Sequence, residues 1–128
     1  MGTFTVSIQI SDLAHRHLRA VDALVDPGAS DTVLPREVLE ELGVQPLRKK
    51  PYRLADDRIA QFDVGEARLR LDGEENVVPV VFGERGGPVL LGATALEIFK
   101  LGVDPVGKRL VPVPGLLFAS LESPLRAP

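Results

Sequence analysis

Apolar and polar residues alternate along much of this chain with a period of two. Residues 3–10 (TFTVSIQI) and 18–25 (LRAVDALV) each read as a strand, and the polar stretch 11–16 reads as the turn between them. The alternation is clearest over 59–71, where Ala67, Leu69 and Leu71 oppose Glu66, Arg68 and Arg70. That is the pattern of a sheet with one wet face. A short apolar piece covers 32–34, and then the period changes. In PREVLEELG, Val38 and Leu42 repeat at a helical interval while Glu37, Glu40 and Glu41 take the outer face. Pro35 suits the start of this helix and Gly43 its end. Residues 51–54 are extended, a polar turn covers 56–58, and the long strand 59–71 follows. DGEEN reads as a turn, and 77–82 as a strand whose Pro79 argues for an edge or a bulge. PVLLG lacks alternation and reads as a strand buried on both faces. ATALEIFKLG predicts a second short helix ending near Gly102, and 108–113 a closing strand. The sum is a mainly β domain with one or two short helices, a partly closed sheet or barrel.

Composition narrows the function classes. The 128 residues fit one domain with a real core, and 45% apolar content is that of a globular protein. The net charge of −3 gives no general attraction to nucleic acid or to an anionic membrane. There is no cysteine, which excludes disulfides and thiolate chemistry. The N-terminus alternates like a strand, with no basic region leading into an apolar block, so a secretory leader is not expected. The longest apolar stretch, 88–96, is too short to span a bilayer. The expectation is a soluble, cytoplasmic protein with no membrane partner.

Most candidate motifs have a bland account. His15 and His17 form an H-x-H pair, but it lies in a hairpin turn without convergent carboxylates, so no metal is expected. RKKPYR, residues 48–53, is basic but nearly free of aromatic rings for base stacking. It reads as a solvated strand entrance, with no nucleic-acid partner. Ser30 follows Gly28 by two, yet Thr32 breaks the G-x-S-x-G elbow. Gly107-Lys108 lacks a preceding glycine-rich phosphate loop. The pairs Glu40-Glu41 and Glu74-Glu75 read as solvated.

Asp26 is different. It closes the apolar run Ala23, Leu24, Val25 and is followed at once by Pro27, Gly28, Ala29 and Ser30. Two readings stand side by side. In one, the carboxylate caps the turn by accepting N–H bonds from Gly28 or Ala29. In the other it is catalytic, and hydrolysis then needs a second carboxyl group so that one is protonated and one ionised around a water. The chain has no second segment of this kind, so the partner carboxylate would come from another copy across a two-fold axis.

The segment LVDPGASDTVLP resembles the active-site loop of retropepsin-like aspartic proteases, whose usual form is two apolar residues, Asp, Thr or Ser, Gly and Ala. VLLGATALEIF, residues 89–99, resembles the second hallmark of that family: an apolar pair and a glycine leading into a short helix. YRLADDRIAQFDVG occupies the place of the flap hairpin, with Asp57 where bacterial single-domain members often carry glycine. The resemblance spans residues 3–113, and residues 1–113 are expected to form the protease domain. Residues 114–128 are left as a C-terminal tail that covers an edge, meets a partner chain or hangs free.

This resemblance implies a closed β-barrel, active as a symmetric homodimer, that hydrolyses peptide or protein substrates without a cofactor. Asp26 would be the catalytic residue, one per subunit. Gly28, Ala29 and Ser30 on the loop, and Ala55, Asp56 and Asp57 on the flap, would bind substrate. Residues 89–91 would pack under the Asp26 loop, with Gly92 leaving room for the crossing chain. Pro27 departs from the pattern. The family's Thr or Ser ties the two active-site loops together across the axis through its hydroxyl and N–H, and proline has neither. Ser30 and Ala93 replace an Asp and an Arg that pair in retroviral members; both are missing together, so neither leaves an orphan charge. The alternative is a non-catalytic dimeric peptide-binding domain on the same fold, with activity lost or weakened by Pro27. An unrelated small β-barrel binding module is the third reading.

Overall fold

The alternating segments are strands in the computed structural model, which describes residues 4–117. In chain order the elements are β1 (Thr5–Ser11), β2 (Leu18–Val25), β3 (Thr32–Pro35), α1 (Arg36–Leu42), β4 (Arg48–Arg53), β5 (Ile59–Leu71), β6 (Glu74–Gly83), β7 (Leu90–Leu91), α2 (Ala93–Phe99), β8 (Leu101–Asp104) and β9 (Arg109–Pro112). The protein is mainly β, with two short helices, as the patterning predicts.

Seven strands form one sheet in the order β1-β2-β7-β3-β6-β5-β4. β1 also pairs with β5 through Gln9, Ile10 and Ser11, so the pairing runs in a ring and returns to its start, with β4 outside it. Two contacts are parallel, β2 with β7 and β3 with β6; the first brings the Asp26 end of β2 beside Leu91. The inward positions are the apolar ones of the pattern. Ile8, Ile10, Ala23, Val25, Ala67, Leu69, Val78, Val80 and Leu91 are fully buried. Each larger aliphatic chain taken wholly out of water contributes roughly 1.5–3 kcal/mol. α1 adds Val38, Leu39 and Leu42, and α2 adds Ala95, Leu96 and Phe99. Gly43 ends α1 in the left-handed region at φ 82°.

Several elements differ from the reading of the sequence. The turn within DGEEN is only Asp72-Gly73, both at positive φ (50° and 80°), with Leu71 facing Glu74. That is the two-residue hairpin connection Asp-Gly favours, so β6 starts three residues early. Pro79 lies where β6 has β5 on one side only, immediately before the β3 ladder begins at Val80. β7 is just Leu90–Leu91, and Leu90 is half-buried rather than enclosed on both faces. α2 stops at Phe99, because Lys100 adopts the left-handed conformation (φ 55°) and Leu101 enters β8. β8 was hidden in the sequence by the helical pattern running into it. It pairs with β9 in a separate two-stranded sheet. β4 is an outer strand whose free edge carries Pro51 among Arg48, Lys49, Lys50 and Arg53, a composition that discourages further strand pairing. Of the tail assigned to 114–128, residues 118–128 lie outside the described residues.

Candidate active site

β2 delivers Asp26 at its last step. Val25 is buried, Asp26 is half-buried, and the chain then turns. The Ala29 N–H donates to the Asp26 carbonyl over 3.0 Å, closing a four-residue turn with Pro27 and Gly28 in the middle. Proline suits the first central position of such a turn because its fixed φ matches it. Pro27 therefore has a local rationale: it stiffens the loop within one chain. The Gly28 N–H donates to Asp26 Oδ1 over 3.0 Å, so the turn-capping reading of Asp26 is realised. Capping uses one oxygen. Oδ2 accepts no hydrogen bond among the described residues, and no ion pair joins Asp26 to another side chain there.

The loop is fixed from behind by β7 and α2. The Asp26 N–H donates to the Leu91 carbonyl over 2.9 Å. The Ala93 and Thr94 N–H groups, the first free donors of α2, donate to the carbonyls of Ala29 (2.8 Å) and Ser30 (3.0 Å). α2 has no side-chain cap, so these loop carbonyls do that work. The Gly92 N–H donates to Oγ1 of the fully buried Thr32 over 3.1 Å. A methyl group on Gly92 would lie 2.5 Å from the Asp31 carbonyl, so the glycine is there for close approach. Gly28 is crowded too, with a Cβ position 3.2 Å from Asp26 Oδ1.

β4 and β5 form the hairpin expected as the flap. At its tip the Leu54 N–H donates to the Arg58 carbonyl and the Asp57 N–H to the Leu54 carbonyl, at 2.7 and 2.9 Å. Ala55, Asp56 and Asp57 are exposed. The Asp56 carboxylate accepts from the Arg58 side chain and N–H, which hold it below the usual carboxylate range. Asp57 sits at φ 68°, a left-handed conformation that glycine adopts at lower cost. Asp57→Gly is expected to stabilise the protein by about 0.5 kcal/mol, the left-handed strain relieved less the entropy of glycine. Thermal unfolding would read this, and a lower midpoint would show that the Asp57 side chain itself holds the turn.

Elsewhere the charged groups make structure. His15 binds Glu75 over 2.8 Å, and Arg68 and Arg70 add to the same carboxylate, so Glu75 belongs to a network rather than to bulk water. The His15 bond, ahead of the arginines, keeps the Glu75 carboxyl below its ordinary range. Asp12, read as part of a polar turn, is buried. It accepts from the His17 N–H and from the N–H and Nε of Arg16, and these hold its carboxyl low against the opposing effect of burial. Among the described residues no cluster of His, Cys, Asp or Glu could hold a metal. No helix there is long and apolar enough to cross a membrane.

The loop, the glycine that packs on it and the β strands between them fall inside one match: a family model described as aspartyl protease covers residues 6–95. The chain belongs to the aspartyl protease family. Its fold is similar to that of retroviral proteases. The EIAV protease solved with the inhibitor HBY-793 is 17% identical, with a TM-score of 0.58 over 84% of this chain and 91% of that one. The simian foamy virus (mac) protease is also 17% identical, with a TM-score of 0.50 over 73% of this chain and 94% of that one. A comparison with curated proteins finds no significant match.

Within this aspartyl protease, Asp26, Gly28, Ala29 and Ser30 lie together on one turn. Ala55, Asp56 and Asp57 stand apart on the hairpin, and no hydrogen bond joins them to that turn among the described residues. The side-chain link between hairpin and loop is made instead by Tyr52, whose hydroxyl donates to Asp31 Oδ2 over 2.6 Å. Neither residue stood out in the sequence; the one hint was a single aromatic within a basic strand.

Proposed function

We propose that this aspartyl protease is a homodimeric endopeptidase whose catalytic dyad is Asp26 and Asp26 of the partner subunit. The observation that carries this is Asp26 at the end of β2, with Oδ1 held by Gly28, Oδ2 without a partner among the described residues, and the side chain half-exposed. Two such carboxylates brought together cannot both ionise, so the pair shares one proton. The ionised member takes a proton from water as the water oxygen bonds to the scissile carbonyl carbon. The protonated member gives its proton to the carbonyl oxygen. Collapse of the resulting diol, with a proton passed to the leaving nitrogen, yields the acid and the amine. The loop keeps some main-chain groups for substrate: the Gly28 carbonyl and the Ser30 N–H have no backbone partner in the described fold, while Ala29 uses both of its own. No metal or other cofactor enters this scheme.

The rival reading, a dimeric peptide-binding domain that has lost catalysis, rests on Pro27. Pro27 removes a hydroxyl and an N–H from the expected interface, but it also preorganises the turn that holds Asp26. A dilution series separates the effects. Peptide cleavage per chain should fall as light scattering passes from dimer to monomer, and Pro27→Thr should shift both curves about tenfold toward lower concentration, the worth of one or two regained hydrogen bonds. Activity per chain that persists in a fully monomeric sample would rule out the shared dyad.

A further inference from the structure

Among the described residues the β4–β5 hairpin reaches the Asp26 loop through one side-chain hydrogen bond. Tyr52 Oη donates to Asp31 Oδ2 at 2.6 Å, the length of a hydroxyl bound to a charged carboxylate. Tyr52 is half-buried and meets Phe62 edge-on, with ring centroids 6.1 Å apart and planes at 72°. Tyr52 faces Ala60 and Phe62 faces Lys50, which puts the two rings on one face of the hairpin. A second link, from Asp63 to Lys49 and to Arg36 of α1, holds the base of the hairpin. Tyr52 is the link nearer the tip, just ahead of the turn at Leu54.

The two ends of the Tyr52 bond are unequal. Asp31 lies in closely packed backbone, with Gly92 against its carbonyl and the next residue, Thr32, fully buried. The hairpin beyond Tyr52 is exposed from Ala55 to Ile59, and β4 has a neighbour on one side only. A directional bond from a fixed point to a projecting hairpin sets the angle of that hairpin.

We propose that Tyr52 is a positioning residue: latched on Asp31, its phenol sets the height of the hairpin tip above the Asp26 loop, and an extended substrate passes beneath. This rests on the peptidase reading for its substrate, but not for the latch itself. Burial first, and then the acceptor and charge of Asp31, push the phenol well above its ordinary titration. The protonated phenol is the form the fold favours. The phenol's contribution to folding is therefore fully present below the unfolded value of about 10 and is lost as pH rises from there through the folded value. Near neutral pH the phenol does not act as a switch.

Tyr52 is the only tyrosine and there is no tryptophan, so near-ultraviolet absorbance of the full chain reports this phenol's ionisation. Amide hydrogen exchange across residues 53–60 should quicken about tenfold in Tyr52→Phe, which keeps the ring packing and removes the bond, while the ring of core strands exchanges as before. Asp31→Asn keeps an acceptor but removes the charge. It should quicken the same amides less, and bring the phenol titration down toward about 10. With peptide substrate, Tyr52→Phe should raise KM several-fold and change kcat less. Unaltered exchange in both variants, with an unmoved titration in Asp31→Asn, would overturn the latch and leave the Asp26 proposal standing, since neither readout needs turnover. A fully active Asp26→Asn would do the reverse.

Discussion

Asp26→Asn is expected to lower kcat/KM for peptide cleavage by about 10²–10⁴-fold, the contribution of a positioned acid–base group. The substitution is nearly isosteric. The Asn side-chain oxygen can still accept from the Gly28 N–H, as Asp26 Oδ1 does over 3.0 Å, and the main-chain bond from residue 26 to the Leu91 carbonyl is untouched. Stability should therefore stay close to that of the parent chain, and thermal unfolding serves as the control. What disappears is the ability to hold and release a proton beside the water. In the proposed symmetric dimer the change removes both members of the dyad, so no residual base remains there. Dimer affinity should hold or improve, because the repulsion between two carboxylates is gone. A variant that cuts peptides as fast as its parent would dismiss Asp26 as the catalyst and leave the loop only its turn-capping role.

The fold was legible where one physical rule governed each residue. Ala67, Leu69 and Leu71 are buried, and Glu66 and Arg70 exposed, because a strand with one wet face permits nothing else. α1 ends at Gly43 because only glycine takes that left-handed step at low cost. Legibility failed where two rules competed. Leu101–Asp104 continues the apolar spacing of α2, and nothing local marks the switch to strand. Its pairing with Arg109–Pro112 decides the matter, and that is a tertiary fact. Asp12 looked like turn polarity, since its burial depends on three donors that converge only in the folded hairpin. The site divides the same way. The Asp26 turn is contiguous, so its residue types announce it. The latch joins Tyr52 to a residue 21 positions away, and pairs of that kind leave no periodicity.

Gly92→Ala should produce the largest loss of stability among conservative changes near the site. Gly92 has φ −96° and ψ 178°, an extended conformation open to any residue, so the difficulty is one of space alone. The added methyl would lie 2.5 Å from both the carbonyl carbon and oxygen of Asp31, and 2.9 Å from the Ala29 carbonyl oxygen. All three are backbone atoms, which cannot rotate aside as a side chain would. To make room, β7 and α2 must withdraw from the 26–31 loop, lengthening the bonds from Ala93 and Thr94 to that loop and from Gly92 to Thr32. Overpacking of this kind costs about 1–3 kcal/mol. That corresponds to a fall in thermal midpoint on the order of 10 °C for a domain of this size. Gly73→Ala is the useful comparison. It has open space around its Cβ position but φ 80°, so it pays only for its backbone, about 1 kcal/mol. Activity should suffer in Gly92→Ala beyond the loss of folded protein, because Asp26 hangs from Leu91, the residue beside the disturbed glycine. A Gly92→Ala protein that melts with its parent and cuts peptides at the parent rate would show that β7 and α2 do not fix the loop.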